Sequence, residues 1–222
     1  MRLFLASQDL GNFPEVLEEL VGDKKRALVI GNTRDYYQDE KRIKDSLEKT
    51  FVNLEKIGIQ SQRLDLRDYF GKPEELAKYV ETYDPGLIFS IGGNVYCLAT
   101  AMHESGMDKI IQQGLASDKF VYGGYSAGSM ITLGDLSPYE IRKTSEENSF
   151  YNLSERAEKT YNLPPYMSGL GIIDEYIIPH MDREDHIETM KQRIKNIEKI
   201  GAKTILLNDA DVYIVNGDEK RS

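Results

Sequence analysis

Gly124-Tyr125-Ser126-Ala127-Gly128 is the part of this 222-residue chain whose residue types and spacing are best suited to chemistry. An apolar run, Lys119 to Tyr122, breaks into glycines, presents one serine, and resumes as a helix-compatible stretch. This is the pattern of a nucleophile elbow. A sharp strand-to-helix turn pushes the serine hydroxyl outward, and small neighbours let the chain fold back on itself. The amide of Ala127 would face the same spot and could stabilise an oxyanion. The chemistry implied is acyl transfer through an activated hydroxyl. The alternative is a glycine-rich turn carrying a surface serine.

An activated serine needs a base, an acid to orient it and an oxyanion site, so the elements that would bring these together decide between the two readings. Arg2–Ala6, Arg26–Ile30, Ile59–Leu64, Gly86–Ile91, Phe120–Tyr122, Tyr176–Pro179, Thr204–Leu207 and Val212–Val215 read as strands, mostly short and apolar on both faces like buried parallel strands. Helical stripes lie between them, at Ile43, Leu47, Phe51, Leu54 and Ile57 and again at Ile187, Met190, Ile194, Ile197 and Ile200. This alternation predicts an α/β, mostly parallel sheet with right-handed crossovers and helices on both faces, formed by residues 1–222 as one domain. The last two strands are expected to include an antiparallel pair at one edge. The segment Gly134–Gly171 is polar, then broken by Pro164, Pro165, Gly169 and Gly171, and reads as a surface excursion over the site.

Ligands gather at the carboxyl edge of such a sheet. Gly86–Ile91 ends in Gly92-Gly93-Asn94, where a backbone amide can approach a substrate and Asn94 can cap the following helix. Phe120–Tyr122 ends in the Ser126 elbow, Tyr176–Pro179 in His180, and Thr204–Leu207 in Asn208-Asp209. Serine, histidine, carboxylate and glycine turn thus converge on one edge. Asp174 and Glu175 fail as the orienting acid, because six residues of strand at about 3.3 Å each put Asp174 near the opposite edge. Asp135 would lie over about 13 Å down a continuing helix. Asp209 is the choice, since one crossover makes its strand end a neighbour of the histidine's, with Asp211 as runner-up.

The elbow, Ile91-Gly92-Gly93-Asn94, Ile178-Pro179-His180 and Leu207 to Val215 together resemble the peptidase E (α-aspartyl dipeptidase) and cyanophycinase family of serine peptidases, over nearly the whole chain in order. The resemblance implies a flavodoxin-like, glutaminase-related sheet, Ser126 as nucleophile, His180 as base, and the amides of Gly93 and Ala127 as oxyanion hole. The family's third member is typically a glutamate at the position matching Asp209. The shorter aspartate must therefore sit about one methylene closer to His180. The resemblance further implies cleavage after an amino-terminal aspartate, with no cofactor. Such a substrate needs a cation, for which Arg183 is best placed and Arg142 is the alternative. The competing reading has Arg183 pairing with Glu184 or Asp185. Asn94 and Tyr125 are the other candidate substrate contacts.

Other features read more plainly. A net charge of −9 argues against nucleic-acid binding, and no apolar stretch approaches membrane-spanning length. The single cysteine, Cys97, leaves no intrachain disulfide and reads as a buried structural thiol. The amino terminus turns polar too soon for a signal-peptide core, which points to the cytoplasm. No metal is expected: His180 and His186 are six apart and no further ligand motif accompanies them. His186 is placed in the first turn of the next helix and His103 at the surface or a helix end. Tyr36, Tyr37 and most other tyrosines are expected at core margins, and Asp218–Arg221 as a solvated tail. A small peptide is the expected partner, with a homodimer left open. Two further readings are a cyanophycin-cleaving isopeptidase, although the arginine-rich pattern after the histidine is reduced here to Arg183, and a catalytically silent binding member of the fold.

Overall fold

The computed structural model describes residues 1–37, 39–143 and 150–221. Five strands, β1 (Arg2–Ala6), β2 (Arg26–Ile30), β3 (Gln60–Leu64), β4 (Leu87–Ser90) and β5 (Val121–Tyr125), run parallel. Two more follow much later in the chain, β8 (Val212–Asn216) and β9 (Glu219–Arg221), β8 antiparallel to β1 and β9 antiparallel to β8. Their order across the sheet is β3-β2-β4-β5-β1-β8-β9. The remaining strands, β6 (Tyr176–Ile178) and β7 (Thr204–Leu206), form a separate two-stranded parallel sheet.

Alternation within the strands explains why the sheet is buried on both sides. Leu3 and Leu5, Leu28 and Ile30, Ile88, Tyr122, Tyr213 and Val215 enter one hydrophobic cluster. Their neighbours Phe4, Ala6, Ala27, Val29, Leu87, Phe89, Val121, Val212 and Ile214 enter the other. Successive side chains of a strand point to opposite faces, so two apolar sets make a near-continuous apolar run. Helices α1 (Pro14–Val21) and α2 (Glu40–Lys56) cover the second cluster through Leu17, Leu20 and Leu47, Leu54. The first is covered by α3 (Pro73–Tyr83), α4 (Val95–Ser105) and α5 (Met107–Ala116), by the short α6 (Ala127–Met130), and by α7 (Leu153–Tyr161) and α8 (Ile187–Lys199). No helix among the described residues is long and apolar enough to cross a membrane.

Several expectations need correction. The histidine and Asp209 strands are not in the main sheet. Three-residue β6 and β7 pair with each other and pack through Ile177 and Ile178 into the core. The final antiparallel pair is β8 with β9, not the strands around Asn208–Asp211, so the charged tail forms a strand. An exposed Glu219-Lys220-Arg221 suits a sheet edge, where charge discourages further pairing. The 134–171 segment is more than a surface excursion. Residues 144–149 lie outside the described residues, but Tyr139 is fully buried and α7 buries Leu153 and Ala157 in the core.

Candidate active site

The strand β5 delivers Ser126 at φ 51°, ψ −113°, a left-handed backbone that a non-glycine residue adopts only when its surroundings hold it there. Close approach of the flanking chain supplies that hold. A Cβ on Gly128 would lie 2.1 Å from the Ser90 carbonyl oxygen, so the elbow can pack on β4 only with glycine at this position. Ser129 Oγ ties the turn down further, donating to the carbonyls of Ala6 and Gly124.

His180 also sits at positive φ, 61°, just beyond β6. Its backbone N–H donates to Ser7 Oγ at 2.8 Å, fixing the small sheet to the carboxyl end of β1. The ends of β6 and β7 are stitched by Leu207 N–H to Ile178 O and Met181 N–H to Leu207 O. These bonds bring Asp209 to the imidazole. Ser126 Oγ lies 3.1 Å from His180 Nε2, and His180 Nδ1 lies 2.5 Å from Asp209 Oδ1. With the proton on Nδ1, the ring donates to the carboxylate and accepts from the serine hydroxyl. Asp209 is itself held by its N–H, which donates to Asp182 Oδ1. Asp211 is elsewhere, its Oδ2 accepting from Asn208 N–H. Asp135 accepts from Ser137 N–H through Oδ1.

The Gly92-Gly93 turn lies against the serine: a Cβ on Gly92 would stand 3.1 Å from Ser126 Cβ. Gly93 has φ 154°, and a Cβ there would meet the Thr33 carbonyl at 2.5 Å, so a side chain is excluded by conformation and by space. Gly93 borders the cleft, and the N–H of Ala127 follows directly on the serine.

The cleft over Ser126 has a volume of about 460 Å³ and is bordered by Gly92, Gly93, Tyr125, His180, Arg183 and His186, with Phe150 and Leu153 from the 134–171 segment. Larger clefts of about 580 and 870 Å³ flank Asp35, but neither is lined by a serine or a histidine. Tyr125 lines the Ser126 cleft. Asn94 does not: its side chain is fully buried, accepts from the N–H groups of Tyr96 and Cys97, and donates to Leu153 O. It is a helix cap rather than a substrate contact. Arg183 borders the cleft with its guanidinium closed on Asp185, Nε to Oδ1 at 3.1 Å and Nη2 to Oδ2 at 2.8 Å. Arg142 is exposed and does not line it. Cys97 is buried, and His103 stacks on Tyr166. Among the described residues no group of three or more His, Cys, Asp and Glu could hold a metal ion.

Sequence reasoning missed Ser7, and it missed the part His186 plays. The latter precedes α8, buried, with its ring edge-on to His180 at 5.0 Å and to Phe150 at 4.3 Å. Burial, reinforced by the Arg183 and His180 charges, pushes its pKa down to about 4, so it stays neutral near pH 7. Tyr36 and Tyr37 pack ring to ring at 4.2 Å and border the cleft rather than only the core.

Burial lowers the His180 pKa from 6.5, and Asp209 opposes this only in part. A general base must be neutral, so activity falls as pH drops through this depressed pKa. The acid limb of kcat/KM is therefore expected below pH 6.5. A pH profile with its limb at or above 6.5 would contradict the assignment of His180 as the titrating base.

In a comparison with solved structures, the chain is similar to a protein provisionally named peptidase E from Listeria monocytogenes EGD-e, with a TM-score of 0.74 and 19% identity over 99% of this chain and 96% of that one. It is also similar to a peptidase from an acI-B1 Actinobacterium, with a TM-score of 0.64 and 17% identity over 97% and 83%. These likenesses establish the α/β fold. Comparison with curated proteins gives no match. The profile of peptidase family S51 matches residues 36–222, and the chain therefore belongs to that family of serine peptidases.

Proposed function

We propose that this protein is a serine exopeptidase that hydrolyses short peptides, acting as a dipeptidase on substrates with an amino-terminal aspartate. The observation that carries the proposal is the hydrogen-bonded series Ser126, His180, Asp209 at a strained strand-to-helix turn in a cleft. Ser126 Oγ attacks the peptide carbonyl carbon while His180 Nε2 takes its proton. Asp209 orients the imidazole and stabilises its charged form. The N–H groups of Gly93 and Ala127 receive the oxyanion, each worth about 3–4 kcal/mol in comparable sites. Collapse of the intermediate breaks the C–N bond, and His180 returns the proton to the leaving amine. Water, deprotonated by His180, then attacks the acyl ester, releasing the acid and restoring Ser126.

The cleft of about 460 Å³, bordered by Phe150 and Leu153, suits a short substrate. The aspartate preference is carried by the family likeness. No cofactor enters this scheme, and the proposed setting is the cytoplasm, with small peptides as partners. Hydrolysis of a dipeptide panel tests it: Asp-Leu is expected to be cleaved well and Asn-Leu poorly. A preference for neutral amino-terminal residues would remove the aspartate assignment. Failure to cleave any peptide, together with no labelling of Ser126 by a fluorophosphonate, would instead indicate a silent binding member.

A further inference from the structure

Among the described residues, three Lys and Arg side chains border the Ser126 cleft: Arg34, Lys49 and Arg183. Two of them already have carboxylate partners. Lys49 Nζ lies 2.7 Å from Asp9 Oδ2, and Arg183 is closed on Asp185 through both edges of its fork. Arg34 differs. Among the described residues its side chain has no carboxylate partner and no hydrogen-bond acceptor, and its Nε is buried and unsatisfied. The guanidinium carbon lies 5.8 Å from the centre of the Tyr37 ring, a contact that places the cation at the cleft wall and contributes no opposite charge.

The position of Arg34 in the fold gives a second, independent reason to expect a ligand there. The chain leaves β2 for β3 in one direction and β4 for β5 in the other, so the sheet reverses its winding between β2 and β4. Open α/β sheets bind ligands outside the carboxyl ends of the strands at such a reversal. Arg34 follows β2, and Gly92-Gly93 follows β4. The two loops are joined directly, Thr33 Oγ1 donating to Gly92 O at 3.1 Å and Asn94 N–H donating to Thr33 O at 2.8 Å. Arg34 is thus built on the same backbone joint as the glycine turn that lies against Ser126.

We infer that Arg34 is the receptor for a carboxylate of the substrate, and that Arg183 is not. This rests on the peptidase reading above and names a residue that sets its specificity. A guanidinium with no carboxylate partner among the described residues can take a carboxylate through two parallel hydrogen bonds, whereas Arg183 would first have to release Asp185. The carboxylate is either the side chain of the amino-terminal residue or the carboxyl terminus of the peptide.

Calorimetric binding to Ser126→Ala protein, which removes the proposed nucleophile, separates these sources. Asp-Leu, Asn-Leu and Asp-Leu amide are each titrated with and without Arg34→Met. Arg34→Met is expected to weaken Asp-Leu by about 10- to 100-fold. If Asn-Leu is then unaffected, Arg34 reads the side chain. If both acids weaken and the amide does not, it reads the carboxyl terminus. Arg34→Lys keeps the charge without the fork, and should weaken the same peptides by a smaller factor even if the methionine variant does not fold. Equal loss for all three peptides, no loss in either variant, or a loss that follows Arg183→Met instead would overturn the assignment. Hydrolysis by the intact enzyme is scored separately: peptides that are cut irrespective of Arg34 refute only this inference, whereas peptides neither cut nor bound refute the peptidase reading as well.

Discussion

Ser126→Ala is expected to lower turnover by about 10³- to 10⁶-fold while leaving the fold intact. In the proposed mechanism the attacking oxygen belongs to Ser126 alone, and that oxygen is hydrogen-bonded to His180 Nε2. The surrounding arrangement is held by other atoms. The imidazole remains fixed by Asp209 through Nδ1 and by Ser7 through the backbone, and Ser129 anchors the elbow. Alanine adopts the turn's positive φ no less readily than serine, so the strain at this position is unchanged. Residual activity would come from the oxyanion donors and from substrate positioning. The check is kcat on Asp-Leu alongside circular dichroism and a thermal melt. A folded variant with near-normal turnover would end the serine-peptidase proposal for this site.

How far the site was legible in the chain depends on which physical signal each part carries. The central strands were readable because they alternate between two apolar clusters and so appear as short, continuous apolar runs. Glu219-Lys220-Arg221 carries no such signal, because an edge strand that repels further pairing looks like a solvated tail. The separation of β6 and β7 from the main sheet was not legible either, since three-residue strands encode burial but not their partners. Their mutual pairing still preserved the inference from one crossover to adjacent strand ends. The sequence pattern of 134–171 hid α7, whose buried face amounts to little more than Leu153 and Ala157 in an otherwise polar stretch.

Arg34 and Ser7 belong to a different category. Both follow strands of the main sheet, and the carboxyl-edge rule that pointed to Ser126, Gly93, His180 and Asp209 applies equally to the ends of β1 and β2. They were legible, but polar residues after a strand draw notice only when their type suggests a nucleophile, base or acid. His186 was not legible in this way. It reaches the His180 ring because the chain turns at His180 through a positive φ, which no residue type in His180–His186 announces.

Asp209→Asn should cost on the order of 10⁴-fold in kcat, the magnitude seen when the corresponding aspartate of other serine proteases is changed. The cause is the tautomer. A carboxylate at 2.5 Å accepts from Nδ1 and leaves Nε2 free to take the serine proton. An asparagine amide can instead donate to Nδ1, placing the ring proton on Nε2, where it faces Ser126 and cannot act as a base. The family's usual glutamate would approach from further away, and here the ends of β6 and β7 bring the shorter side chain close enough. Asp211→Asn is expected to cost far less. Its Oδ2 accepts from Asn208 N–H, an interaction that an amide oxygen can replace, and its carbonyl accepts from Ser7 N–H regardless of side chain. Matched kinetics on both variants, with ¹⁵N spectra of His180 to read the tautomer, test the ranking. If Asp211→Asn proves the more damaging of the two, the orienting role moves to Asp211, and the close Asp209 contact is structural.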